Sequence, residues 1–463
     1  MRPKKDHYTL RCFGCKAAYN IDEYGKFYRC SKCGNLLEVR RDTSWLRSES
    51  ATAADLQRDK SNLGPDETSY HSSPSSGGFR PRNGSSNGVW KYFDLIPLWE
   101  ERNIVSLNEG GTSLIECRNL ARRFGLRTLH VKFEGLNPTG SFKDRGMTVG
   151  VSKALELGYK SVMCASTGNT SASLAAYSAR AHLRCIVLVP KGKIAMGKIA
   201  QAIAYGAEIF QVEGNFDDSL KMASKICESN SNILLLNSLN PFRIEGQKTV
   251  SFEIVEQLGT TVPDHVILPV GNGGNITAVW KGFSEIFEMG LESTVGRHLG
   301  SRPPRLIGVQ AEGAAPIARA FKEGKRDSID PVEDPNTEAS AINIGSPVSW
   351  MKALTAIYES GGRAAAVSDE EIFAAQRLLA SSEGIFVEPA SAAPIAYLER
   401  VARLRDAEFS EEYGELKDSR AVCICTGNGL KDPNALLKGL TTPDSLRTIS
   451  ADERSLEVAL AAA

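Results

Sequence analysis

The 463-residue sequence has no surplus of either charge: Lys plus Arg and Asp plus Glu each total 55. A chain with zero formal charge has no bulk attraction for nucleic acid or an anionic membrane, so polyanion binding by net charge is disfavoured. It also lacks any apolar run near the roughly 18 residues of a membrane span. Cysteine is sparse, at ten residues, which excludes the density of a small disulfide scaffold. The first eleven residues, MRPKKDHYTLR, carry charge but no apolar h-region, so no removable presequence and a cytoplasmic location are expected. What remains is an ordinary globular composition, 42% hydrophobic and 24% charged, with room for about three domains.

Four of the cysteines form a pattern. Cys12-x2-Cys15 and Cys30-x2-Cys33 are separated by fourteen residues, the arrangement in which two thiolate pairs on tight turns close a tetrahedral zinc site. Two chance pairs or two disulfides are the alternative. Short β-prone runs surround the pairs, YTLRC, KFYRC and LLEVRRD, as in a zinc ribbon over residues 1–43. Closed four-thiolate sites usually stabilise small modules, so chelation is expected to unfold 1–43 and leave any cofactor in place. The other six cysteines are scattered, mostly through apolar runs, and read as buried thiols.

Residues 44–88 are rich in Ser, Gly, Asn and Pro and read as a mobile linker. From 89 to 463 the pattern becomes strand then helix, repeated. LHVKFE (129–134), VMCAS (162–166), CIVLVP (185–190), EIFQV (208–212), NILLLN (232–237), HVILPV (265–270), RLIGVQ (305–310) and AVCIC (421–425) alternate with helical periodicity such as SDEEIFAAQRLLAS (368–381). Continuous apolar strands between helices predict an α/β fold with a parallel sheet covered on both faces.

In such folds ligands gather where strands end and helices begin. Four junctions carry unusual loops: NPTGSFKDRG (137–146), STGNTSAS (166–173), GNGGN (271–275) and TGNG (426–429). Lys143 falls in the first turn of a predicted helix with Ser141 near its cap, where the helix dipole favours the neutral amine that Schiff-base chemistry needs. A solvated surface lysine is the bland alternative. GNGGN has the composition of a backbone cradle for phosphate at a helix start, although a plain turn is also possible. It matches neither GxGxxG nor GxxxxGKS, so a dinucleotide or ATP site has poor support.

Taken together, NPTGSFKDRG, CASTGNTSAS, GKIAMGKIAQAIAYGAE, GNFDDSL, NSLNPFRIEGQKT, PVGNGGNI, AINIGSPVSW, GIFVEPASAA and TGNGLKD resemble the threonine synthase family. The blocks run in unbroken order from about residue 89 to 434. The resemblance implies a fold type II, pyridoxal-phosphate-dependent enzyme with two α/β subdomains, the smaller inserted over about 150–250, preceded by a small zinc-ribbon module. It implies a homodimer and a carbon–oxygen lyase reaction that turns O-phospho-L-homoserine and water into L-threonine and phosphate.

The resemblance also implies residue roles. Lys143 corresponds to the lysine that carries pyridoxal 5'-phosphate as a Schiff base, and Asn169 to the asparagine at the cofactor's ring hydroxyl. Gly271, Asn272, Gly273, Gly274 and Asn275 correspond to the cup for the cofactor phosphate. Thr426 corresponds to the hydroxyl group at the pyridine nitrogen. Ser238 and Arg243, with Thr170 nearby, correspond to the holders of the substrate's phosphate, and Ser166, Thr167 and Gly168 to a loop near its carboxylate. The sequence departs from the family pattern at Ser113, where Pro is usual, at Gly273, where Ala is usual, and at Asn343 and Ser346, where Arg and Asn are frequent. Two rivals follow. A related enzyme acting on O-phosphoserine, such as a cysteate synthase, would share the cofactor loops, and a threonine dehydratase would have no use for the Ser238/Arg243 pair. A non-catalytic ribbon protein, using the basic residues of the first 41 positions to bind nucleic acid, would have no reason to keep Lys143, Asn169 and the glycine loop.

Overall fold

A computed structural model describes residues 5–24, 28–42, 88–191, 196–214, 216–259, 261–289, 302–404, 410–432, 449–451 and 453–461. Apart from Gly88, the expected linker lies outside the described residues. Among these residues no helix is long and apolar enough to cross a membrane.

The N-terminal sheet contains β1 (Tyr8–Cys12), β2 (Ala18–Tyr19) and β3 (Leu37–Arg41), antiparallel with β1 in the centre. The run KFYRC does not supply its third strand: Lys26 and Phe27 lie outside the described residues, and Arg29 makes an isolated bridge to Leu36. Ala18–Tyr19 takes that place instead. Next come β4 (Leu114–Glu116), β5 (Thr128–Phe133), β6 (Ser161–Ala165), β7 (Arg184–Pro190), β8 (Glu208–Val212), β9 (Ile233–Leu235), β10 (His265–Pro269), β11 (Arg305–Ala311), β12 (Arg363–Val367) and β13 (Arg420–Cys425).

These ten strands form two sheets. Six pair in the order β12-β11-β10-β13-β5-β4, all parallel except for the β4–β5 pair. Four pair in the order β8-β7-β6-β9, all parallel. The smaller sheet falls entirely between β5 and β10 in sequence, so its segment is inserted into the larger one. The central strands are buried at every position, as in β6 and β10, which is why they read as unbroken apolar runs instead of alternating ones.

The helix Lys143–Glu156 leaves β5 after one loop and is buried continuously from Asp144 to Ala154. Its charges are balanced internally. Arg145 pairs with Glu134 and Glu253, and Glu253 with Lys132, all essentially without solvent contact. Unpairing any of these groups would leave a buried charge, at a cost of about 3–5 kcal/mol. The network fixes the start of this helix against β5 and the helix Thr249–Gln257.

The N-terminal sheet is not an isolated appendage. Its Tyr8, Leu10, Leu37 and Val39, with Tyr24 and Tyr28 from the connection between β2 and β3, share one hydrophobic cluster with Val162, Val187, Leu234 and Phe242 of the smaller sheet and its helices.

Candidate active site

Four loops leave the carboxyl ends of parallel strands and meet at one cavity of about 880 Å³. It is lined by Lys143 after β5, Ser166, Thr167, Gly168, Asn169 and Thr170 after β6, Gly271 to Asn275 after β10, and Thr426 after β13. Ser238 and Arg243, from the segment after β9, line it too. Every residue that the sequence singled out for cofactor or substrate thus borders the same space, at the strand ends where an open α/β sheet offers its crevice.

Lys143 is the first residue of its helix. Ser141 lies near the cap as expected: Phe142 holds the cap position with no side-chain bond, and Ser141 Oγ, one residue before it, accepts from the Lys143 N–H at 3.4 Å. Burial pushes the Lys143 amine down to about 7, with the Arg243 charge adding to the effect and Glu388 opposing it. A lysine in this environment has a large neutral fraction near pH 7 and is nucleophilic. The neighbouring Asp144 is buried and accepts from the Thr139 N–H at 2.7 Å, Thr139 Oγ1 at 2.6 Å and Ser173 Oγ at 2.6 Å. It thereby ties the lysine loop to the helix Asn169–Ala181.

Asn169 begins that second helix. Its Nδ2 donates to both oxygens of Glu388 at 3.1 Å. Burial raises the Glu388 carboxyl, against the Asn169 bond and the charges of Lys431 and Lys143. Thr426 Oγ1 lies 2.9 Å from Ser391 Oγ, which accepts from the Gly427 N–H at 2.8 Å. The Thr426 loop is pinned on its other side by Phe142, whose N–H donates to the Thr426 carbonyl at 2.9 Å.

The glycine loop is shaped by close packing. Gly273 has φ +83°, and a Cβ there would stand 3.0 Å from both the Ser349 carbonyl oxygen and Ala353 Cβ. The loop opens directly onto the helix Gly274–Glu288, whose first N–H groups have no intrahelical partners. Asn272 fastens it to the 348–349 segment through Val348 N–H to Oδ1 at 3.2 Å and Ser349 N–H to its carbonyl at 3.0 Å. Asn237 joins the other two loops, with both side-chain atoms bonded to Ala165 at 2.9 Å, so that Ser238 and Ser166 sit on adjoining strand ends.

Arg243 is 2% exposed, and burial lowers its pKa to about 10. It therefore stays charged at neutral pH. Four cavity residues carry buried polar atoms with no protein partner: Arg243 Nε, Gln247 Oε1, Asn275 Nδ2 and Asn343 Oδ1. Buried polar groups are normally paired, so such a concentration marks a ligand's place.

The pyridoxal-phosphate dependent enzyme family matches residues 105–427. A threonine synthase of Methanocaldococcus jannaschii is 49% identical over 433 residues, 94% of this chain and 95% of that protein. The chain belongs to the threonine synthase family of pyridoxal-phosphate enzymes. A threonine synthase of Mycobacterium bovis is 52% identical over 349 residues, covering 75% of this chain and 89% of its own. The tomato threonine deaminase structure shares the fold at a TM-score of 0.57 and 22% identity, over 81% of this chain and 99% of its own. The fold is type II.

The cavity suits the family's cofactor on its own chemistry. A near-neutral buried lysine, a glycine loop at a helix start with the unpartnered Asn275 donor, and the neutral Thr426 hydroxyl are groups an aldehyde, a phosphate and a pyridine nitrogen each require. Several cavity groups carried no assignment from the sequence. Glu388, Gln247 and Lys431 line the cavity, and each stood unassigned in a quoted block, GIFVEPASAA, NSLNPFRIEGQKT and TGNGLKD respectively. Of the four departures from the family pattern, Gly273, Asn343 and Ser346 line the cavity.

Proposed function

We propose that this protein catalyses the threonine synthase reaction, with O-phospho-L-homoserine and water as substrates and L-threonine and phosphate as products. The observation that carries the reading is the pairing of two anion-competent places in one cavity. One is the glycine loop at the helix start. The other is Ser238 with the buried, charged Arg243, whose Nε has no protein partner. A cofactor with one phosphate and a substrate with another would fill both.

In this reading Lys143, Asn169, Gly271 to Asn275 and Thr426 hold pyridoxal 5'-phosphate. Once bound, the cofactor would supply an electron sink that lets the amino-bearing carbon, and then its neighbour, give up protons. Lys143, neutral over a large part of its population near pH 7, takes the substrate's Cα proton and carries protons among the neighbouring carbons. Ser166, Thr167 and Gly168 orient the substrate carboxylate, with Thr170 beside the phosphate. Arg243 and Ser238 hold the phosphate as the Cγ–O bond breaks and negative charge grows on the leaving oxygen. Water then supplies the hydroxyl at Cβ, and protons are delivered to Cγ and back to Cα. Glu388 holds Asn169 in place.

Arg243→Gln tests the phosphate assignment. The expected result is a KM for O-phospho-L-homoserine raised about a hundredfold, since a hydrogen-bonded charge pair is lost, with the bound-cofactor absorbance unchanged. An unaltered KM contradicts the assignment.

The four sulfurs of Cys12, Cys15, Cys30 and Cys33 lie within 4.8 Å of one another. Cys12 to Cys33 is 3.4 Å and Cys15 to Cys30 is 3.5 Å, too long for S–S bonds of about 2.05 Å. Four thiols at this separation suit tetrahedral zinc, with Zn–S bonds of about 2.3 Å, and we assign the group to structural zinc in a ribbon over 1–43. On the same basis the chain is divided into that ribbon, a linker over 44–88 and a catalytic domain over 89–463 with its smaller subdomain at about 150–250. All ten cysteines are free, which suits a reducing cytoplasm. The family resemblance supports a homodimer.

A further inference from the structure

The segment that carries Ser238 and Arg243 is gripped from behind by the N-terminal sheet. At its start, the Tyr28 hydroxyl accepts from the Leu235 N–H at 3.1 Å. The Leu235 carbonyl accepts from Asn240 Nδ2 at 3.1 Å, and Asn240 Oδ1 caps the next helix by accepting from the Phe242 N–H at 3.0 Å. At the helix Pro241–Gln247 itself, the Tyr24 ring stands edge-on to Phe242, with centroids 5.2 Å apart and planes at 85°. Tyr24 is braced in turn by Tyr28, edge-on at 5.5 Å and 88°. Further along, Glu245 pairs with Lys281, which also donates to the Val39 carbonyl of β3. All three aromatic rings are buried: Tyr24 at 2%, Tyr28 at 1% and Phe242 at 0% exposure.

We infer that Tyr24 and Tyr28 are positioning residues for the substrate-phosphate pocket, so that the N-terminal sheet sets the place of Ser238 and Arg243 in the cavity. The inference rests on the reading that those two residues hold the substrate's phosphate. An oxyanion is recognised only when the guanidinium sits within a few tenths of an ångström of its place, and that precision comes from the groups behind it. Here those groups are Tyr24 and Tyr28, which lie between β2 and β3 of the N-terminal sheet, and β3 itself through Val39. Lys143, Asn169 and Thr426 have other supports, in Asp144 and Ser141, Glu388, and Ser391 respectively. The N-terminal sheet therefore bears on substrate binding more than on cofactor binding.

The test uses the full chain loaded with pyridoxal phosphate and the variants Tyr28→Phe, Tyr24→Leu, Tyr24→Phe and Arg243→Gln. Tyr28→Phe removes one hydrogen bond and keeps the ring, so it folds, and a melting curve checks this. The readouts are kcat and KM for O-phospho-L-homoserine, the inhibition constant of inorganic phosphate, and the absorbance of the bound cofactor. Tyr28→Phe and Tyr24→Leu are expected to raise KM and the phosphate inhibition constant together, by about three- to tenfold, as for one lost buried contact. Cofactor absorbance stays as in the parent, and Tyr24→Phe, which keeps the ring, restores parental KM. Unchanged KM and phosphate inhibition in Tyr28→Phe and Tyr24→Leu overturn the inference, as does a fall in kcat alone. Arg243→Gln separates the two layers. If it weakens phosphate inhibition while the tyrosine variants do not, only the positioning role fails. If it leaves phosphate inhibition unaltered, the reading of the pocket fails and the inference with it.

Discussion

Lys143 shows how much of the site's chemistry is set by surroundings that a linear sequence conceals. Its place at a helix start suggested a lowered pKa from the helix dipole, and the direction is right. The larger causes are burial and the charge of Arg243, one hundred positions away in sequence. The sign of the resulting pH dependence is definite. As pH falls through about 7 the free amine becomes an ammonium ion, so the rate at which the cofactor-free chain takes up pyridoxal phosphate, read from the rise of the visible band, is expected to fall on the acid side. In the cofactor-free chain the folded state binds fewer protons here than the unfolded chain over the window from about 7 to 10.5. Stability from this group therefore rises with pH across that window. Lys143→Met is expected to raise the melting temperature of the cofactor-free chain at pH 7 while abolishing the visible band of the bound cofactor. A band that persists in Lys143→Met would remove Lys143 from its role. Asn169 was legible because it stands in a conspicuous loop. Its pairing with Glu388 was not, because it spans 219 positions and depends on the meeting of two helix starts.

Among the elements, the buried parallel strands were legible as unbroken apolar runs, and the helix SDEEIFAAQRLLAS as a periodic one. That helix starts with a capping box between Ser368 and Glu371. The two edge strands of the larger sheet were not legible, whereas those of the smaller sheet, β8 and β9, were read as EIFQV and NILLLN. β12 is RAAAV, whose alanines carry little strand preference and whose place is decided by pairing with β11. β4 has only three residues and runs antiparallel against β5. Close helix contacts were equally hidden, although their glycines stood in the quoted motifs. In NSLNPFRIEGQKT, Gly246 packs against the backbone of the Lys143 helix, and a Cβ there would lie 1.8 Å from the Arg145 carbonyl oxygen. Gly246→Ala must push the Arg243 helix away from the Lys143 helix. The expected cost is about 3 kcal/mol or more, read as a lowered melting temperature, with impaired substrate binding in whatever remains folded. A thermally unperturbed, fully active Gly246→Ala protein would show that the two helices do not meet in this way.

At the scale of the whole molecule, two parallel sheets meet at one cavity, and an antiparallel sheet braces the wall that carries Arg243. The cysteine spacing pointed to a metal module that could unfold by itself, but the shared hydrophobic cluster makes that module part of the smaller sheet's core. Chelation is therefore expected to lower the melting temperature of the whole chain and raise KM for the phosphorylated substrate, with the cofactor retained. Loss of residues 1–43 alone, without any effect on KM, would contradict the shared core. The central claim is that the cavity takes a four-carbon phosphoamino acid and yields threonine. It is tested most directly by giving the cofactor-loaded protein O-phospho-L-homoserine or O-phospho-L-serine in parallel, measuring phosphate release and identifying the amino-acid product by mass spectrometry. The account predicts equimolar phosphate and L-threonine from O-phospho-L-homoserine and no turnover of O-phospho-L-serine. Turnover of O-phospho-L-serine alone, or of neither, would contradict it.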